Sequence, residues 1–304
     1  RSTVEEVQSA IKNLKNQGMK HLIFDLQGNG GGLLYAAQQI ADEFLTDQKL
    51  IVYSEGRAQP RSDLKAGKKG LWEDGQLVVL TDEYSASASE IVSGAIQDWD
   101  RGLIVGRRSY GKGLVQRPID LTDGSQMRLT IARYYTPSGR CVQKPYDDIE
   151  SYKKDLTDRY LNGEFSNQDS IKLPDSLKYN TLILNREVYG GGGIMPDVFV
   201  PIDTASITDY YRDLIQEGHL TSFTLEYVDK NREKLLEKYP TFADFNASFK
   251  TDKALMDEFF KHVEKEDKEL KFNEEQYKIS ENLLKLRMKA VLAQDIWGYN
   301  EFYQ

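Results

Sequence analysis

The sequence predicts an α/β core carrying a β-hairpin and followed by a helical C-terminal region. Three observations carry this. Over residues 21–106, short apolar runs of strand-favouring residues alternate with helically spaced segments in the order βαβ-β-αβ, the sign of a layered α/β fold. Two alternating runs joined by TDGS then read as a hairpin. From Asp203 to Gln304 nearly everything is helical in spacing and heavily charged.

Apolar side chains at 4, 7, 10, 11 and 14 predict an opening helix over Val4–Leu14, stopped by Gly18. HLIFDL at 21–26 reads as a strand, QGNGGG at 27–32 as a glycine loop, and LLYAAQQIADEFL as the helix that follows. KLIVYSEG at 49–56 and QLVVLTDE at 76–83 are further strands. The polar, basic stretch 57–70 between them suits a mobile surface loop. ASASEIVSGAIQDW at 86–99 has helical spacing and leads into the strand GLIVG at 102–106. The hairpin pairs LVQRPIDL with QMRLTIARYYTP. Residues 146–179 read as an insertion, and the core resumes over 180–203 with GGGGIMPDVFVPID. Residues 204–304 form the helical region, with YYRDLIQEG, YVDKNREKLLEKY, ALMDEFFKHVEKE and ISENLLKLRMKAVLAQDIWGY as its helices.

Composition excludes several classes. Lys+Arg 40 against Asp+Glu 48 gives a net charge of -8, unsuited to collecting nucleic-acid phosphates or anionic lipid. A single cysteine, Cys141, cannot form an internal disulfide, and His21, His219 and His262 show no zinc spacing. No apolar run is long enough to span a bilayer. The first residues lack both an initiator methionine and a hydrophobic signal core, as in a processed or shortened chain.

Four segments can carry chemistry. Consecutive glycines in QGNGGG suit positive φ or close approach of a ligand to the main chain, and amides there can hold an oxyanion; a flexible turn is the plain alternative. YSASASEI places three serines two apart at a strand-to-helix junction. One can cap the helix, but three cannot, and a serine in such a turn presents its hydroxyl outward as nucleophile elbows do. GRRSYGKGLVQ falls one residue short of a phosphate loop, lacking Ser or Thr after Lys112, and it precedes a strand pattern where a phosphate loop needs a helix. A lysine stripped of water can instead serve a serine as general base, which the histidines are poorly placed to do. The four glycines of GGGGIMPDVFVP are explained equally well by a loop.

Together these segments resemble the C-terminal processing peptidases, or tail-specific proteases, serine peptidases with a Ser/Lys dyad. FDLQGNGGG is similar to that family's DLRxNxGG loop, YSASASEIVSGAIQD to its nucleophile segment and GRRSYGKGLVQ to its lysine segment. ARYYTPSGRCVQ and GGGGIMPDVFVP resemble two further stretches. The likeness covers about 1–145 and again 188–203, in order along the chain.

The resemblance implies a crotonase/ClpP-like core, with Ser87 as nucleophile and Lys112, 25 positions later, as general base. It makes Gln116 a residue that positions the lysine, and Asp98 a supporting acid. The oxyanion hole falls to the amides of Ala88 and of Gly31 or Gly32. It implies an endopeptidase cutting near protein C-termini, with unstructured apolar tails as substrates, no metal or organic cofactor, and a periplasmic or cell-envelope location. A homo-oligomer is compatible with it. Two departures stand out: Gln27 replaces the family's common arginine, and the opening residues leave no room for the PDZ domain usual ahead of the core. An inactive peptide-binding scaffold and an acyl-thioester enzyme on a crotonase-like fold are the alternatives.

Overall fold

The computed structural model describes residues 2–67 and 69–303. The chain divides into two compact units, one ending at Ile202 and the other beginning at Asp203.

The first unit opens with α1 (Thr3–Asn16), β1 (His21–Asp25), α2 (Leu34–Asp42), β2 (Leu50–Gly56), β3 (Gln59–Lys65) and β4 (Gln76–Thr81). It continues through α3 (Ala88–Asp98), β5 (Leu103–Gly106), the hairpin β6 (Leu114–Asp120) and β7 (Gln126–Tyr135), and α4 (Ile149–Leu161). The short strands β8 (Lys178–Asn180), β9 (Glu187–Tyr189) and β10 (Val198–Phe199) complete it.

One sheet has the order β1-β4-β5-β10 and is parallel throughout, with Phe24 opposite Val79 and Val79 opposite Ile104. A second sheet, β3-β2-β7-β6, is antiparallel. Parallel neighbours need crossover connections, and α2 and α3 belong to the two that link β1 to β4 and β4 to β5. The core between the layers gathers Phe44, Leu45, Ile51, Val79, Ala95, Ile96 and Ile104, all fully buried.

Helix α3 is the centre of this unit: every residue from Ala88 to Asp98 is buried. A helix enclosed all round is expected to be apolar, yet α3 carries five polar side chains that each find a partner. Ser89 Oγ donates to the Asn29 carbonyl at 2.9 Å and Ser93 Oγ to the Ser89 carbonyl at 2.9 Å. Gln97 Nε2 donates to the Met195 carbonyl at 2.8 Å, while its Oε1 accepts from Arg140 at 2.7 Å. Asp98 accepts the Ser138 N–H and pairs with Arg140, a fully buried guanidinium. Glu90 is described with the site below.

Two segments depart from expectation. Residues 59–65, expected within a mobile loop, form the edge strand β3 against β2. Their side chains are mostly exposed and polar, so they lack apolar alternation; the pairing comes from β2, and Arg61 stacks over the Tyr53 ring at 3.8 Å. Lys68 of that loop lies outside the described residues. Residues 146–179 contain α4 and a buried cluster in which Glu164 receives both Arg108, at 2.7 Å, and Arg159, at 2.8 Å.

The second unit is helical: α5 (Asp209–Gln216), α6 (His219–Lys238), α7 (Phe242–Ser248), α8 (Lys253–Glu266) and α9 (Glu274–Ile296). Its own core includes Leu214, Phe245, Phe259, Leu284 and Met288. Helix α7 has no counterpart in the sequence reading. Seven residues show little periodicity, and its start is marked by the Thr241–Asp244 capping box. No helix among the described residues is long and apolar enough to cross a membrane.

Burial raises the Glu164 carboxyl, but the hydrogen bonds and charges of Arg108 and Arg159 outweigh it and hold the group below its ordinary value of 4.5. A depressed carboxylate stabilises the fold above its unfolded value and loses that contribution as pH falls through the lower folded one. Glu164→Gln is therefore expected to cost about 3–5 kcal/mol at neutral pH, since among the described residues it leaves half-buried Arg108 without an ion pair and buried Arg159 with only Asp155 at 3.9 Å. Urea unfolding should show a smaller loss of stability on acidification below 4.5 than in the parent.

Candidate active site

Strand β4 ends in the turn Asp82–Ser87 that starts α3. The carboxylate of Asp82 ties this turn to the glycine loop after β1, accepting the N–H groups of Gly28 at 2.9 Å and of Tyr84 and Ser85 at 3.0 Å each. The three serines divide the work. Ser85 Oγ donates to the Leu26 carbonyl at 2.7 Å and Ser89 Oγ to Asn29, so both are spent on joining turn to loop. Ser87 lies between them, half-buried, with φ 57° and ψ -113°. Positive φ in a residue bearing a Cβ is costly, and it turns the side chain out of the path from strand to helix.

Glu90, one turn into α3, is fully buried and accepts four donors. Oε2 takes the N–H groups of Ser87 and Lys112, each at 2.8 Å; Oε1 takes the Gly111 N–H and the Ser109 hydroxyl, each at 2.6 Å. Burial pushes its carboxyl up from the ordinary value, against the downward pull of those four bonds. One oxygen thus holds the main chains of Ser87 and Lys112 together.

The loop before β6 that carries Lys112 is anchored along its length. Ser109 N–H reaches the Ile194 carbonyl, Tyr110 N–H the Ser85 carbonyl, and Gly113 N–H the Gln143 Oε1 at 2.8 Å. Gly113 is required: a Cβ there would lie 2.8 Å from the Gln143 nitrogen. The Lys112 side chain is half-buried, and among the described residues its ammonium has no ion pair or hydrogen bond. Tyr134 on β7 points its hydroxyl at the carbonyls of Ser87, at 2.9 Å, and of Lys112. The tyrosine is buried, which raises its phenol well above 10.

Ser87, Ala88, Lys112, Gln116 and Gly32 line one cavity of about 610 Å³, with Leu33, Leu34, Ile91, Leu114 and Tyr134 among its apolar walls. Gly31 lies against its nucleophile side. A Cβ on Gly31 would meet the Ala86 carbonyl oxygen at 2.5 Å and the Ala88 nitrogen at 2.6 Å, and its φ is +88°. The Gly31 N–H is bonded to Asn29 Oδ1 at 2.9 Å, whereas the N–H groups of Gly32 and Ala88 have no acceptor among the described residues. Gln116, exposed on β6, makes no side-chain hydrogen bond among them.

Asp98 is not brought to this cavity. It sits at the far end of α3, eleven residues from Ser87 and therefore roughly 16 Å along the helix axis, occupied by Ser138 and Arg140. Glu90 and Tyr134 escape the sequence reading. Glu90 carries one signal, its place three residues after a serine at a helix start; Tyr134 carries none beyond strand alternation. Among the described residues one group has metal-ligand chemistry, Glu217, His219 and Asp267 in the helical unit. His219 Nε2 there faces the Glu217 carboxylate at 3.3 Å, and the ring belongs to a chain of imidazole–carboxylate contacts that includes Glu266.

A parallel α/β sheet presents a serine at positive φ in a strand-to-helix turn, with amides beside it and a lysine on the same cavity that have no partner among the described residues, an arrangement able to support nucleophilic attack by the serine. Residues 1–151 match the model of peptidase family S41. Residues 210–298 match a family of unknown function (DUF8443).

The chloroplastic C-terminal processing peptidase of Tetradesmus obliquus is 38% identical over 143 residues, which is 47% of this chain and 31% of that protein. The carboxy-terminal-processing protease of Bartonella bacilliformis is 43% identical over 148 residues, 46% of this chain and 33% of its own. The chain spans about a third of the length of these curated relatives. Among solved structures, the photosystem II D1 C-terminal processing protease aligns with 29% identity and a TM-score of 0.48, covering 67% of this chain and 40% of that one.

The two glycines should respond differently to substitution. Gly31→Ala combines positive φ with a backbone clash and is expected to cost about 1–3 kcal/mol from the φ alone. Gly32→Ala, where a Cβ meets nothing within 4 Å, should stay within about 0.5 kcal/mol of the parent. Thermal unfolding of both variants checks this; equal losses would contradict the close approach at Gly31.

Proposed function

We propose that the first unit is a serine endopeptidase that cuts polypeptides near their C-termini through a Ser/Lys dyad. The observation that carries this reading is the shared grip of one Glu90 oxygen on the main chains of Ser87 and Lys112, beside amides that have no acceptor among the described residues. In this mechanism Lys112 Nζ, unprotonated, takes the proton of Ser87 Oγ as the oxygen attacks the scissile carbonyl. The developing oxyanion is held by the N–H groups of Ala88 and Gly32; Gly31 supports them by close packing. Lys112 returns the proton to the leaving amine, and water attacks the acyl-enzyme by the reverse route. Gln116 lines the substrate channel near the lysine. Asp98, through Ser138 and Arg140, holds the segment whose Gln143 fixes Gly113.

The apolar walls formed by Leu33, Leu34, Ile91 and Leu114 favour apolar, unstructured tails as substrates, bound as an added strand. We assign the peptidase core to 1–145 and 180–203, with 146–179 as an insertion that buttresses the lysine loop through Arg108 and with 204–304 as a helical region. A bacterial periplasmic or cell-envelope location and a homo-oligomer complete the reading.

β-Casein digestion tests it. The parent should cleave, Ser87→Ala should not, and Lys112→Ala should lose about 10²–10⁴-fold in kcat/KM. Cleavage that survives in Ser87→Ala would overturn the assignment of the nucleophile.

A further inference from the structure

Tyr134 holds the lysine loop at two points. Its backbone N–H donates to the Gly113 carbonyl at 2.9 Å, and its hydroxyl lies between the carbonyls of Ser87 and Lys112. Those carbonyls belong to segments 25 residues apart, one ahead of α3 and one ahead of β6. A phenol has one proton, so the two acceptors share a single donor, and neither contact can be lost without changing the other. Glu90 takes the N–H groups of the same two residues. Each dyad residue is therefore gripped on its amide by Glu90 and on its carbonyl by Tyr134.

The position of the tyrosine is itself set by the sheet. Tyr134 pairs with Ser54 on β2, and its ring is buried to 2% exposure, so the hydroxyl has a fixed origin in the core and little competition from water. The contacts of the hydroxyl are with main-chain carbonyls, not with Ser87 Oγ or Lys112 Nζ.

We infer that Tyr134 is a positioning residue for the dyad: its hydroxyl fixes the main chain of the lysine loop against that of the nucleophile turn, the frame from which Lys112 approaches Ser87 in the chemical step. The inference rests on the peptidase reading of the site. It separates two quantities that a purely structural hydrogen bond would leave together. Substrate binding uses the cavity walls, which a tyrosine without its hydroxyl still completes. The chemical step depends on the approach of Lys112 to Ser87, which such a side chain no longer enforces.

The test compares the parent, Tyr134→Phe and Tyr135→Phe. Tyr135 stacks on Tyr53 at 4.8 Å and lies outside the site, so its variant controls for loss of a tyrosine hydroxyl on the same strand. Each protein is titrated with a fluorophosphonate probe, giving KI and kinact for labelling of Ser87, and with a casein-derived peptide, giving KM and kcat. In Tyr134→Phe, kinact and kcat should fall about tenfold while KI and KM stay within twofold; Tyr135→Phe should match the parent.

Amide exchange of the 111–113 segment, followed by mass spectrometry in the folded proteins, should be faster in Tyr134→Phe alone. Labelling of Ser87 at the parental rate in Tyr134→Phe overturns the inference and leaves the peptidase reading standing. Absence of labelling and cleavage in the parent overturns both. A Tyr134→Phe protein that cannot fold assigns the hydroxyl to stability and also overturns the inference.

Discussion

The carboxylate of Glu90 has no water to solvate it and four donors to satisfy it. Those donors come from the turn ahead of α3 and from the loop ahead of β6, segments separated in sequence by α3 and β5. The side chain starts from the third position of the helix, where a glutamate ordinarily reaches back to its own cap residue. Here it does so, taking the Ser87 N–H, and its remaining lone pairs receive Ser109, Gly111 and Lys112. A local capping interaction has been extended into a tertiary one. Everything that distinguishes the cavity, the outward serine, the unpaired lysine and the open amides, is referenced to the place where this one group is held.

That place is fixed by the burial of α3. An all-apolar helix would fill the same space, but it would leave the surrounding loops without a partner for their polar groups. Instead, successive turns address different segments: Ser89 the glycine loop, Glu90 the lysine loop, Gln97 the chain after the second glycine run, and Asp98 the bend after β7. Buried polar contacts of this kind are costly when incomplete and specific when complete. The consequence is that the loops forming the cavity are positioned from inside the molecule as well as by their contacts with one another.

Much of this was legible in the residues. Most strands and helices of the first unit follow the apolar spacing of the sequence, because one face of each packs on the core. Ser87, Ala88, Lys112, Gln116 and Gly32 meet at one cavity, as ordered motifs on either side of a βαβ crossover must when the strands are parallel. What was not legible depends on side-chain detail. Gly31 and Gly32 read alike in sequence, yet Asn29 Oδ1 takes the amide of one and leaves that of the other. Strand β3 takes its conformation from β2 and carries no apolar record of it. Asp98 is a supporting acid by resemblance alone, and the structure places it with Ser138 and Arg140 at the far end of α3. Tyr134 and Tyr135 read alike in sequence; alternation across β7 sends one to the cavity and the other to Tyr53.

The backbone at Ser87 adds a last consequence. A φ of 57° suits glycine and penalises any residue with a Cβ. At this position, then, natural selection on folding and on the side-chain hydroxyl pull in opposite directions. A chain relieved of the oxygen by glycine would gain stability of about 1 kcal/mol while losing the atom around which the cavity is arranged. Serine in so unfavourable a conformation places a hydroxyl on the cavity at the expense of the fold that holds it.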